Sequence, residues 1–183
     1  MSGRFNEWMT SRIYVDTSII SRLSDPLSGR AIQVSDDQAH ALLAICSANV
    51  ELVTSDKMLH EVLKSQSLPR RALLTIVASL ASRVPHREIA TQSPGGFGVG
   101  AFGVTAFGGI GPMSRDPLLT SLLNFFESDD AEHIFQAVNS GCSYFLTLDE
   151  DTILTPSRAH RKDLLALCRQ MEFVDPVTLA ASL

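Results

Sequence analysis

The sequence predicts an α/β fold, three layers deep, in which a central and mostly parallel sheet lies between helices. Three observations carry this. Short β-branched and aromatic runs recur along the chain, at residues 12–15, 50–54, 144–148 and 172–174. Between them lie stretches with apolar residues at helical spacing. Strands separated by helices need crossover connections, and crossovers make neighbouring strands parallel.

Taken in order, Arg12-Ile13-Tyr14-Val15 is the first strand, and Asp16-Thr17-Ser18 supplies the turn and helix cap that follow it. Ile19, Ile20 and Leu23 repeat at helical spacing up to the break at Asp25-Pro26. Residues 35–48 read as a helix capped by Ser35 or Asp36, with Ala39, Leu42, Leu43 and Cys46 on one face. Val50 to Thr54 is the second strand. Ser55 then caps a helix whose apolar stripe is Met58, Leu59, Val62 and Leu63, with Glu61 beside it. Pro69 opens another helix, and residues 87–90 read as a short strand. Residues 117–126 and 129–140 are two more helices, the second stopped by Gly141. Tyr144 to Leu148 is a strand that runs into Asp149-Glu150-Asp151. A last amphipathic helix over 157–169 leads to the strand Glu172-Phe173-Val174.

The length of 183 residues suits one domain, and 45% apolar against 19% charged residues allows a buried core. No stretch approaches the about 18 consecutive apolar residues of a membrane span, so no membrane partner is expected. The first residues lack the apolar core of a secretory signal, and Met9 competes with Met1 as the start. Cys46, Cys142 and Cys168 form no CxxC pair and read as small core hydrophobes in a reducing, cytoplasmic setting. Twenty acids against fifteen bases give a net charge of -5, which argues against a protein that holds nucleic acid mainly by charge. An enzyme whose acids gather around metal ions stays open.

Residues 93–112 are foreign to the rest. They hold most of the eleven glycines and repeat Gly-Phe-Gly and Ala-Phe-Gly units through Phe97, Phe102 and Phe107. The segment has no lysine and fits neither phosphate-binding glycine motif, so it reads as an insertion within the single domain of 1–183. Its spaced phenylalanines suit a docking patch for a partner or stacking surfaces for unpaired bases.

Two strands, at 12–15 and 144–148, end in aspartate. In a parallel sheet the carboxyl ends share an edge, so Asp16 and Asp149 are expected to approach each other there. Asp130 opens the helix leading into the second of these strands, and Glu61 lies on a helix that follows another. Each acid also has an ordinary account as a cap, a turn or a solvated face. Crowded carboxylates repel, and a hard divalent cation with oxygen preference, Mg2+ or Mn2+, removes that repulsion. Such a site suits metal-assisted phosphodiester hydrolysis.

These residues resemble the PIN-domain ribonucleases. Ile13-Tyr14-Val15-Asp16-Thr17-Ser18 is similar to that family's first strand and its aspartate. Asp130-Ala131-Glu132-His133-Ile134 resembles its D-A-x-H-I helix start, and the run from Gly141 to Asp149 resembles its G-C-D-Y-L-L-T-x-D strand. The resemblance implies a PIN-like fold and a metal-dependent endoribonuclease acting on single-stranded RNA. It places the acidic quartet on Asp16, Glu61, Asp130 and Asp149, with Mg2+ or Mn2+ held by Asp16, Asp130 and Asp149. Glu61 becomes an added ligand or a water-positioning base, with Glu51 and Asp56 as competitors for its place. Ser18 and Thr147 would orient ligands or water through their hydroxyls. His133 is read as a core or structural histidine. Beside the resemblance, Arg70, Arg71, Arg158 and Arg161 are candidate bases for steering RNA, with an ordinary solvated helix face as the bland account favoured by the acidic whole. Many members are toxins held inactive by a cognate antitoxin and form homodimers, and both carry over as expectations. The alternative is a catalytically inactive PIN-like module that docks a partner through the insertion. A phosphatase of the D-x-D-x-T type is disfavoured, because Ser18 stands where the second acid belongs.

Overall fold

The computed structural model describes residues 10–23, 34–63, 81–83 and 116–183. The glycine- and phenylalanine-rich insertion, the helix opening at Pro69 with Arg70 and Arg71, the strand expected at 87–90, the Asp25-Pro26 break and Met9 lie outside them.

Along the chain run β1 (Ser11–Val15), α1 (Thr17–Leu23), α2 (Asp36–Ser47), β2 (Val50–Thr54), α3 (Asp56–Leu63) and β3 (Ser82–Arg83). After these come α4 (Pro117–Leu122), α5 (Ser128–Asn139), β4 (Tyr144–Leu146), a single π-helical turn (Glu150–Leu154), α6 (Thr155–Ala159), α7 (Arg161–Leu167), β5 (Glu172–Val174) and α8 (Pro176–Ala180). The strands form one sheet in the order β3-β2-β1-β4-β5, every pair parallel. From β1 the chain moves outward through β2 and β3, then returns to add β4 and β5 on the other side. The reversal falls between β1 and β4, and the crevice at such a switch point, outside the carboxyl ends of the strands, is where open α/β sheets bind ligands.

Alternation along β1 divides the core. Tyr14 faces Val53, Phe145, Leu122, Ile134, Phe135 and Leu164 on one side of the sheet. Ile13 and Val15 face Ile19, Ile45, Leu146 and Leu179 on the other. Helices therefore cover both faces, and β1 and β4 are buried on both, as parallel central strands require.

Local chemistry explains the ends of the elements. Ser35 caps α2 in a reciprocal arrangement with Gln38, its hydroxyl accepting from the Gln38 amide at 3.2 Å while the Gln38 side chain accepts from the Ser35 amide at 3.0 Å. Gly141 follows α5 with φ of 70°, a left-handed turn that suits glycine. The stop after α7 instead places Arg169 and Gln170 at positive φ, where no glycine signals it.

Several expectations are corrected. The helix from Pro117 stops at Leu122 rather than 126, and Asp116 caps it through the Leu118 amide. The helix expected over 157–169 is two, broken at His160, whose backbone leaves the helical region. Tyr144 to Leu148 is a strand only to Leu146. Leu63 is 54% exposed and so outside the apolar stripe of α3, and Leu43 and Cys46 are exposed on α2. Cys142 and Cys168 are buried, and burial pushes both thiols up to about 12.

α8 stands beyond the elements that the sequence predicts. It packs against α2 and starts at Asp175, whose carboxylate accepts from the Val177 and Thr178 amides at 2.9 and 3.0 Å and from the Thr178 hydroxyl at 2.5 Å. Burial works against the charge, yet these bonds outweigh it and hold the Asp175 carboxyl below the usual range. Asp175→Ala is expected to lower stability by about 1 kcal/mol at neutral pH. Because the folded-state pKa is depressed, the cap contributes fully above the unfolded value, and its contribution is lost as pH falls through the folded one. Urea midpoints of the two proteins should therefore converge in acid; a constant gap would refute the capping account.

Candidate functional site

Asp16 follows directly on β1 and is 5% exposed. Its amide donates to the Leu146 carbonyl at 3.0 Å, which ties it to the end of β4. Among the described residues, the donors to its carboxylate all reach one oxygen. Asp16 Oδ2 accepts from the Ser18 hydroxyl at 2.5 Å, the Thr147 hydroxyl at 2.7 Å and the Ser18 amide at 3.3 Å. Oδ1 has no hydrogen bond from the described residues. A buried carboxylate oxygen without a donor is costly unless water or a cation faces it.

The same hydroxyls lead to the second aspartate. Ser18 Oγ accepts from the Leu148 amide, Thr147 Oγ1 accepts from the Asp149 amide, both at 3.0 Å, and the two hydroxyls lie 3.0 Å apart. Asp149 Oδ1 accepts from the Thr152 amide at 3.0 Å and so caps the π-helical turn, whose wide loop closes where Leu154 N–H donates to the Asp149 carbonyl. Turns of this kind recur at functional sites.

Asp130 sits half-buried in the first turn of α5, after Glu127 at the cap. Its carboxyl is raised above the usual range, first by burial and then by the charges of Asp16 and Asp149; the Thr152 side chain and His133 act in the opposite direction. Each of the three aspartates thus acts on another through named groups or through charge. The Thr152 amide caps Asp149, and its side chain opposes the raising of the Asp130 carboxyl; neither role is predicted from the sequence. An Asp followed three residues later by a residue whose amide it caps is a readable signal, but an acid-rich run hides it.

Glu61 belongs to a second, adjoining group. Its Oε2 accepts from the Thr17 hydroxyl at 2.8 Å, and its Oε1 lies 2.9 Å from His133 Nε2 and 3.8 Å from Lys57 Nζ. Burial would raise this carboxyl, but His133, Thr17 and Lys57 outweigh it and hold it below its usual range. Lys57 also pairs with Asp129 at 2.6 Å and Glu132 at 2.7 Å, joining α3 to α5. The competitor Glu51 is paired with Arg12 at 2.8 Å, at the amino-terminal part of β2. Arg158 and Arg161 are exposed and engaged with Glu150 and Glu172 respectively.

The donors on offer to an ion are carboxylate and hydroxyl oxygens, the set that suits Mg2+ or Mn2+ and does not suit soft metals. Among the described residues, no three His, Cys, Asp or Glu side chains are grouped closely enough to hold an ion between them. The Asp16 carboxylate bonds to Ser18 and Thr147, and that of Asp149 to the Thr152 amide. No helix among the described residues is long and apolar enough to cross a membrane. No protein-family model, curated protein or solved structure matches the chain.

Proposed function

We propose that this chain is a PIN-like endoribonuclease that hydrolyses phosphodiester bonds of single-stranded RNA with Mg2+ or Mn2+. The observation that supports it best is Asp16, buried at the switch point of the sheet, with three donors on one carboxylate oxygen and, among the described residues, none on the other. Asp16, Asp130 and Asp149 would hold the cation. When bound, the ion would neutralise charge on the phosphoryl group and lower the pKa of a water. The chain's own residues prepare the rest. Ser18 and Thr147 fix Asp16 so that Oδ1 is left for a ligand, and the Thr152 amide restrains Asp149. Glu61, kept as a carboxylate beside Thr17, would take the proton of the attacking water. Purified protein should cleave an unstructured RNA only with added Mg2+ or Mn2+ and stop with EDTA. An inert protein across both metals and several RNAs would favour the binding-module alternative. The resemblance extends the proposal to an antitoxin partner and a homodimer, which co-purification and light scattering test.

Thr147→Val keeps the shape of the side chain and removes its hydroxyl. It leaves the Asp149 amide without its acceptor and Asp16 without one donor. Cleavage is expected to fall about 10- to 100-fold, with about 1–3 kcal/mol of stability lost. Thr147→Ser should recover most of both; equal failure of Ser and Val would show that packing rather than the hydroxyl matters.

A further inference from the structure

His133 is 3% exposed, and both its ring nitrogens are engaged. Nδ1 lies 2.8 Å from the Tyr14 hydroxyl, Nε2 lies 2.9 Å from Glu61 Oε1, and the Tyr14 hydroxyl lies 2.6 Å from Ser55 Oγ. Tyr14 is wholly buried, its acidity suppressed chiefly by that burial, so its hydroxyl keeps its proton. These groups form one chain from Ser55 at the end of β2, through Tyr14 in β1 and His133 in α5, to Glu61 in α3. Thr17, the residue after Asp16, closes it from the other side.

Hydrogen assignment follows from chemistry. The Glu61 carboxylate can only accept, so the hydrogen of the 2.9 Å contact belongs to Nε2. In a neutral ring Nδ1 then accepts from Tyr14, and Tyr14 in turn accepts from Ser55. Every donor in the chain points toward Glu61. If the ring is doubly protonated, the two upstream bonds reverse and Nε2–H still donates to Glu61. The contact at Glu61 is the same in both states, and it ends one residue from Asp16.

We propose that His133 is a positioning residue for the candidate site: its Nε2–H fixes the orientation of the Glu61 carboxylate against Thr17, while Tyr14 fixes the ring. This rests on the reading in which Glu61 receives the proton of the attacking water. Lys57 stands 3.8 Å from the same oxygen but is shared with Asp129 and Glu132, so the buried, directional donor is His133.

The test combines long-range nitrogen–proton NMR of the histidine rings with steady-state RNA cleavage by four proteins. The unaltered protein should show hydrogen on Nε2 of His133. Tyr14→Phe and His133→Leu should each lower kcat about 10- to 100-fold, with KM for RNA changed by less than about twofold, since substrate binding is not what Glu61 provides. His133→Gln, whose amide nitrogen donates at a similar reach, should recover most of the loss. Tyr14→Phe keeps the ring stacked on Phe145 and so guards against a His133→Leu that fails to fold. A neutral ring with hydrogen on Nδ1 overturns the proposal, as does a folded Tyr14→Phe or His133→Leu with unaltered kcat. If the unaltered protein cleaves no RNA in either metal, the nuclease reading falls, and the ring hydrogen alone then decides whether His133 holds Glu61.

Discussion

Asp16→Asn is expected to abolish cleavage while leaving the fold intact. Its amide oxygen can take the place of Oδ2 and keep the bonds from Ser18 and Thr147, with the –NH2 group directed where Oδ1 has no donor among the described residues. An amide there cannot serve a cation, and the lost charge stabilisation is several kcal/mol, about three orders of magnitude in rate. Stability should move the other way. One negative charge leaves the surroundings of Asp130, whose carboxyl the charge of Asp16 helps to raise, so its titration should shift back toward the usual range. The unfolding midpoint should be unchanged or higher. Equal loss of activity and of folded protein would show Asp16 to be a structural cap only.

Phe145→Ala should give the largest loss of stability. Phe145 is fully buried in β4, stacked on Tyr14 at 5.3 Å and 11°, and touches Phe173 at 5.7 Å. Phe126 continues the row against Phe173 at 5.6 Å, so the row of four rings joins β1, β4, β5 and the chain after α4, with Phe145 as the link between β1 and β5. Removing it is expected to cost about 3–5 kcal/mol from lost burial and the cavity left behind. That is a large part of the about 5–15 kcal/mol that holds a domain of this size. Because Tyr14 rests on Phe145, the variant should also loosen the hydrogen bond to His133. Urea unfolding of Phe145→Ala and Phe145→Leu checks this: Leu should be much milder, and a loss below about 1 kcal/mol in Ala would show that the row is not central.

The parts of the fold that were readable are those where local chemistry and burial agree. β1 and β4 are apolar runs that end in Asp16 and in Thr147-Leu148-Asp149, and being central they are buried on both faces. α5 was readable because its apolar stripe ends at Gly141. Less was legible at the periphery. β3 has two residues and exists by pairing Ser82 and Arg83 with Val53 and Thr54, a tertiary contact that no local pattern announces. The break at His160 has neither glycine nor proline at the break itself. The π-helical turn depends on bonds spanning five residues, and α8 on packing against α2.

The sequence singles out Asp16 and Asp149 as site candidates because sheet topology fixes where strand ends meet, and Asp130 because it opens the helix that leads into β4. It said little of how they are held. Thr152 is a common residue in a polar run, and Tyr14 reads simply as a strand aromatic. The partners of Glu61 come from three elements, α1, α3 and α5, so spacing along any one of them is silent about the cluster.

In the proposed mechanism Asp16, Asp130 and Asp149 would close on a divalent cation. Anomalous diffraction from crystals grown with Mn2+ tests it most directly. The expected result is a manganese peak bounded by these three carboxylates, with Asp16 Oδ1 among its ligands and no peak in Asp16→Asn. A manganese-saturated crystal in which the three carboxylates keep their present hydrogen bonds and hold no ion would contradict it.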